Sequence, residues 1–129
     1  MIARAALILA LTVSAAAAEI VRGRAAAIDG DTIRMAGQRI RLVALDCPEL
    51  AHPGGHAARD ALASLIAGIE IVCARADTDR HGRMVAHCGP APRFSTDDDL
   101  TCRMIRSGHC RRYVRHDPRG LYTHCERGR

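Results

Sequence analysis

The chain has 129 residues, a formal charge of +5, six cysteines and 19 basic residues, every one of them arginine. That length accommodates one compact domain and excludes a two-domain enzyme. No C-x-x-C pair occurs, which argues against a structural zinc site and leaves the even cysteine set as a disulfide framework if the chain is exported.

At the N-terminus Arg4 precedes "AALILALTVSAAAA", an apolar stretch that ends in small residues before Glu19. This is the pattern of a signal peptide, expected over residues 1–18 with cleavage after Ala18. The stretch falls short of the roughly 20 apolar residues that span a bilayer. The expected product is a single domain over 19–129, periplasmic or secreted, with no membrane association once the signal is removed.

The next segment, 19–28, reads as a strand closed by the turn pair Asp29-Gly30. Strands are predicted over 32–36 and 38–45, joined across Gly37. Apolar residues at 58, 61, 62, 65 and 66 predict an amphipathic helix over 56–68, stopped by Gly68. Strands over 69–76 and 83–88 flank the hairpin turn "DTDRHG". The segment 89–96 reads as loop, and 97–108 as a second helix whose acidic start complements the helix dipole. Five strands, with helices after the third and the fifth, predict an all-β barrel with helices (α+β). The economical form is a five-stranded OB-fold barrel carrying two to three short helices.

The hairpin makes a testable statement about cysteines. A two-residue turn flanked by Asp79 and Gly82 sets Cys73 opposite Cys88, close enough for a disulfide. Cys47 with Cys125 is the expected second bridge, pinning the tail, and Cys102 and Cys110 are left either paired or free.

Three polar clusters interrupt this apolar pattern: "DGDT" (29–32), "RLVALDCPE" (41–49) and "DRHGR" (79–83). Alternation places Arg41 in a partly buried row, where a guanidinium requires an anionic partner. Asp31 or Glu49 would serve as a purely structural partner, and Asp-Gly pairs are common in turns without further purpose. The arginine-rich C-terminal stretch "CRRYVRHDPRGLYTHCERGR" favours a polyanion, or is a solvated surface.

Taken in order, the three clusters closely resemble the staphylococcal nuclease (thermonuclease) family, whose pattern is DGDT, then R-L-x-x-x-D-x-P-E, then D-[RK]-[YH]-G-R. "DLTCRMIRSG" resembles that family's next helix, and the resemblance covers about residues 21–113. It implies an OB-fold hydrolase of phosphodiesters in DNA, RNA or both, dependent on Ca²⁺. By position, Asp31 and Asp46 match carboxylate metal ligands and Cys47 a backbone-carbonyl ligand. Glu49 matches the general base, and Arg41 and Arg83 the arginines that bind the scissile phosphate. The residue chemistry is consistent with this, since Ca²⁺ takes hard oxygen donors and guanidinium groups stabilise charge developing on phosphoryl oxygens. Departures from the pattern are a short segment after Glu49, His81 where tyrosine is usual, and a short tail past Tyr113. The expected partner is a nucleic-acid substrate, and the expected state a monomer.

Two other readings are open. A non-catalytic nucleic-acid-binding OB module would want stacking aromatics, and only Phe94, Tyr113 and Tyr122 are present. A disulfide-rich secreted binding or inhibitor domain fits six cysteines but leaves the three clusters unexplained.

Overall fold

A computed structural model describes residues 10–12 and 17–127. Most of the expected signal peptide, residues 1–18, therefore lies outside the described residues. The first predicted strand is split at Arg24 into β1 (Ile20–Gly23) and β2 (Ala25–Ala27). It is followed by β3 (Thr32–Met35), β4 (Gln38–Leu42) and a two-residue β5 (Leu45–Asp46). After helix α1 (Gly55–Ile66) come β6 (Ile71–Thr78) and β7 (Met84–Pro90), then α2 (Leu100–Arg106) and a two-residue β8 (Arg111–Arg112).

The main sheet runs β1-β6-β7-β4-β3-β2, and a separate pair joins β5 to β8. β1 and β2 stand at opposite ends of that order yet are separated by Arg24 alone. The sheet therefore curls until the first predicted strand supplies both edges, an OB-type arrangement of six strands rather than the predicted five. β4 and β7 are paired in parallel, with Arg41 beside Val85. The core fills the interior with Ile33, Ile40, Leu42, Ile71 and Met84 from the sheet. Ala58, Leu62 and Ile66, one turn apart along α1, close it from outside.

The hairpin reaches the predicted cysteine pairing by a different route. Asp79 and Arg83, rather than Asp79 and Gly82, flank its turn, with the Asp79 N–H donating to the Arg83 carbonyl at 2.9 Å. That longer turn shifts the register by one, and a bulge between Arg75 and Asp77 shifts it back. Cys73 thus lies opposite Cys88 and is bonded to it.

Three expectations are corrected. The predicted strand 38–45 ends at Leu42, because Ala44 adopts a left-handed conformation, with φ of 56°. Long-range hydrogen bonds hold that turn. Thr101 Oγ1 on α2 donates to the Val43 carbonyl at 2.7 Å, and the Tyr113 N–H donates to the Ala44 carbonyl at 2.8 Å. The second helix is shorter than 97–108, since residues Thr96–Asp98 form a 3-10 turn and Asp99 caps α2 by accepting from the Thr101 N–H at 2.8 Å. Finally, Cys47 does not pair with Cys125: the bridges are Cys47–Cys110 and Cys102–Cys125. The β5–β8 register sets Asp46 against Arg111, so Cys47 and Cys110 are the next residues out. The tail instead packs beneath α2, where buried Tyr122 donates its hydroxyl to Asp99 at 2.7 Å.

Candidate active site

Asp31 closes the "DGDT" turn just before β3 and is buried. Its backbone N–H donates to Asp29 Oδ1 at 3.1 Å, the turn chemistry expected of an Asp-Gly-Asp segment. Arg41, on β4, places Nη1 3.1 Å from Asp31 Oδ1 and donates through Nη2 to the Leu45 carbonyl at 2.9 Å. One guanidinium therefore ties the turn, β4 and β5 together. The Cys47 N–H adds a third tie, donating to Asp31 Oδ2 at 3.3 Å. Burial pushes the Asp31 carboxyl up to about 6; the Arg41 guanidinium opposes that rise and neighbouring Asp29 adds to it.

Asp46, at the end of β5, is partly exposed and pairs with Arg111 Nε at 2.9 Å. Cys47 follows, then Pro48 and Glu49. Glu49 is exposed, and its carboxylate makes no hydrogen bond or ion pair among the described residues. Its backbone is firmly placed, because its carbonyl accepts from the His52 N–H at 2.9 Å. A side chain at Gly55, the first residue of α1, would overlap that carbonyl and approach Leu50 Cα to 2.7 Å.

Arg83 enters from the β6–β7 turn. Its Nε lies 2.7 Å from Asp79 Oδ2, and its backbone N–H donates to Asp79 Oδ1 at 2.9 Å. Burial alone would raise the Asp79 carboxyl, but hydrogen bonds from Arg83 and from the His81 N–H hold it below the ordinary range. Arg41 and Arg83, 42 positions apart, line one open groove of about 710 Å³, together with Arg80, His81, Tyr113 and Arg115. Tyr113 packs edge-on against His116, with ring centres 4.4 Å apart. A second cavity of about 340 Å³ lies between Asp46, Cys47 and Pro48 on one side and Gly108–Arg111 on the other.

Of the predicted cation ligands, Asp31 accepts from the Cys47 N–H, and Asp31 and Asp46 are each paired with an arginine, Arg41 and Arg111. Two carboxylates and a peptide carbonyl offer only oxygen, which Ca²⁺ prefers. Burial keeps the Asp31 carboxyl above its ordinary value despite Arg41, and added positive charge nearby would lower it. A softer cluster elsewhere does not compete. Cys102, His124 and Cys125 have ligand atoms within 4.8 Å of one another, but both sulfurs are spent in a disulfide.

Four residues absent from the sequence-level site belong to its frame. Asp79 orients Arg83, Arg111 balances Asp46, and Gly30 and Gly55 allow backbone segments to approach closely. Gly55 was marked by its pairing with Gly54 at a helix start, where alanine is otherwise the better residue. Arg111 carried no local mark.

A model of staphylococcal nuclease homologues matches residues 39–126 of the chain. Among curated relatives, the succinoglycan biosynthesis protein ExoI of Rhizobium meliloti (strain 1021) is 38% identical over 113 residues, which are 78% of this chain and 56% of ExoI. Protein ParB of Escherichia coli is 39% identical over 85 residues, 63% of this chain and 48% of ParB. The chain thus spans about half the length of these relatives. The match over 39–126 takes in β4 through the tail, and with it Arg41, Glu49, Arg83 and the β5 loop. The chain belongs to the staphylococcal nuclease family.

Proposed function

We propose that this protein is a Ca²⁺-dependent nuclease that hydrolyses phosphodiester bonds of DNA, RNA or both. The observation that carries the proposal is the convergence of Arg41 and Arg83 on one groove, with Asp31 in contact with Arg41. Two guanidinium groups so placed bind a phosphodiester and are already oriented by carboxylates, so little reorganisation is needed when charge builds on the phosphoryl oxygens.

Asp31, Asp46 and the Cys47 carbonyl would hold Ca²⁺, which when bound supplies further positive charge at the phosphate. Glu49 is the general base. It is exposed and unpaired among the described residues, which leaves its carboxylate open to a water. In the hydrolytic step Glu49 accepts that proton, the water oxygen forms a bond to phosphorus, and the bond from phosphorus to the leaving oxygen breaks. Arg41 and Arg83 bear the charge gained by the remaining oxygens.

We further infer export as a monomeric domain over 19–129, to the periplasm or the medium. Three disulfides support an oxidising destination. Among the described residues no helix is long and apolar enough to cross a membrane.

The test is digestion of single-stranded DNA, double-stranded DNA and RNA with Ca²⁺, with Mg²⁺ and with chelator. Cleavage with Ca²⁺ that chelator abolishes is the expected result. Tight binding without cleavage under every condition would reassign the domain as a nucleic-acid-binding module.

A further inference from the structure

The Cys47–Cys110 disulfide lies where three segments of the candidate site meet. Cys47 follows Asp46 directly, and its N–H donates to Asp31 Oδ2 at 3.3 Å. Its sulfur packs on the "DGDT" turn, where a side chain at Gly30 would come within 3.0 Å of Cys47 Sγ and 2.9 Å of its Cβ. Cys110 adjoins Arg111, whose Nε pairs with Asp46 at 2.9 Å. Both cysteines line the cavity beside Asp46.

β5 is tied inward by the Arg41 guanidinium on the Leu45 carbonyl and by the Tyr113 N–H on the Ala44 carbonyl, but neither contact joins Cys47 to Cys110. The β5–β8 ladder has two residue pairs, and so short a ladder is marginal by itself. Asp46–Arg111 is an ion pair whose arginine side chain is 78% exposed, a kind that contributes little once solvated. The chain reaches β5 through Ala44, a left-handed residue that is disfavoured without a glycine. The bridge, by contrast, joins residues 63 positions apart.

We propose that the Cys47–Cys110 disulfide is the positioning element of the cation site, and that the site becomes competent only after these two thiols are oxidised. This rests on the assignment of Asp31, Asp46 and the Cys47 carbonyl as Ca²⁺ ligands. Oxidation proceeds by exchange with an oxidising protein disulfide. Each thiol gives up a proton, the Cys47–Cys110 bond forms, and the two electrons reduce the donor disulfide to a dithiol. In a reducing cytoplasm the thiols stay open. The protein is then a poor cation binder where the producing cell keeps its own nucleic acid, and becomes competent on export.

Calorimetric titration of Ca²⁺ into three proteins tests this: the wild type, Cys47→Ala/Cys110→Ala and Cys102→Ala/Cys125→Ala, each with circular dichroism to verify folding. Loss of a residue that orients a metal ligand typically weakens affinity about 10- to 100-fold. That loss is expected in the first variant, whereas the second should lower thermal stability and leave affinity within about threefold, below that scale. Equal Ca²⁺ affinity in the wild type and a folded Cys47→Ala/Cys110→Ala variant overturns the inference and leaves the ligand assignment standing. A wild type that takes up no Ca²⁺ overturns both. If the variant does not fold, graded reduction of the wild type decides. Affinity should then fall in step with the fraction of Cys47–Cys110 opened, mapped by alkylation, and a fall that follows Cys73–Cys88 or Cys102–Cys125 instead refutes the proposal.

Discussion

Glu49 and Asp79 are two carboxylates of one small protein in opposite surroundings. Glu49 is exposed and unpaired among the described residues, whereas Asp79 is engaged by two backbone N–H groups and the Arg83 guanidinium. Glu49→Gln keeps the size of the side chain and removes its basicity. Loss of about 10²-fold or more in cleavage rate is expected, the scale of general-base removal. A steady-state assay that finds the variant within threefold of wild type would exclude Glu49 as the base. Asp79→Asn retains an oxygen for the two N–H groups and loses the pair with Arg83. Thermal stability should change little, and the rate should fall, by up to about 100-fold if the guanidinium drifts by an ångström. A variant with normal rate would mean that Arg83 needs no such partner.

At the level of elements, the loop from β5 to α1 is braced from below by backbone rather than by side chains. The His52 N–H donates to the Glu49 carbonyl, and the Gly55 N–H donates to the His52 carbonyl at 3.1 Å. Gly55 has no room for a methyl group against Glu49 and Leu50. Gly55→Ala should therefore displace Glu49 and destabilise the protein by about 1–3 kcal/mol, the usual cost of forcing atoms into a packed site. Chemical denaturation measures the second effect, and residual activity at saturating Ca²⁺ the first. An active variant of unchanged stability would show that the loop shifts freely. At the same scale, the first helix was legible from apolar spacing and Gly68, and the second from its acidic start. The split of the second helix at Asp99 was not, because "STDDD" offers several acidic caps and only burial of Asp99 against Tyr122 selects one.

For the whole molecule, the charge of +5 is unevenly used. Arg112 is held by Asp117 at 3.2 Å and Glu126 at 2.7 Å, and Arg75 by Glu19 at 2.6 Å, so these serve the fold. Four arginines, Arg41, Arg80, Arg83 and Arg115, face the groove. If each neutralises one phosphate of a single strand, binding by the inactive Glu49→Gln variant should weaken with salt at a logarithmic slope of about −3. Fluorescence anisotropy between low and physiological salt measures it, and a slope near zero would place the nucleic acid elsewhere or remove it as a ligand.

Much of the candidate site was legible in the sequence, because its parts are local. "DGDT" is a turn by its own side-chain chemistry, "RLVALDCPE" starts in a strand that ends at Leu42, earlier than its apolar run suggests, and "DRHGR" is a hairpin turn. The facing of Cys73 and Cys88 was equally local, although it came about through a longer turn and a compensating bulge. Contacts between distant segments decided the rest. Ala44 takes a left-handed conformation against its own preference because α2 and the segment after β8 hold the adjoining carbonyls. Cys47 meets Cys110 rather than Cys125 because β5 finds β8, a pairing of two residues that leaves no periodic trace in the chain. Short-range motifs marked the candidate groups, and only packing at long range could say which carboxylate lies beneath which arginine and which sulfur closes the loop.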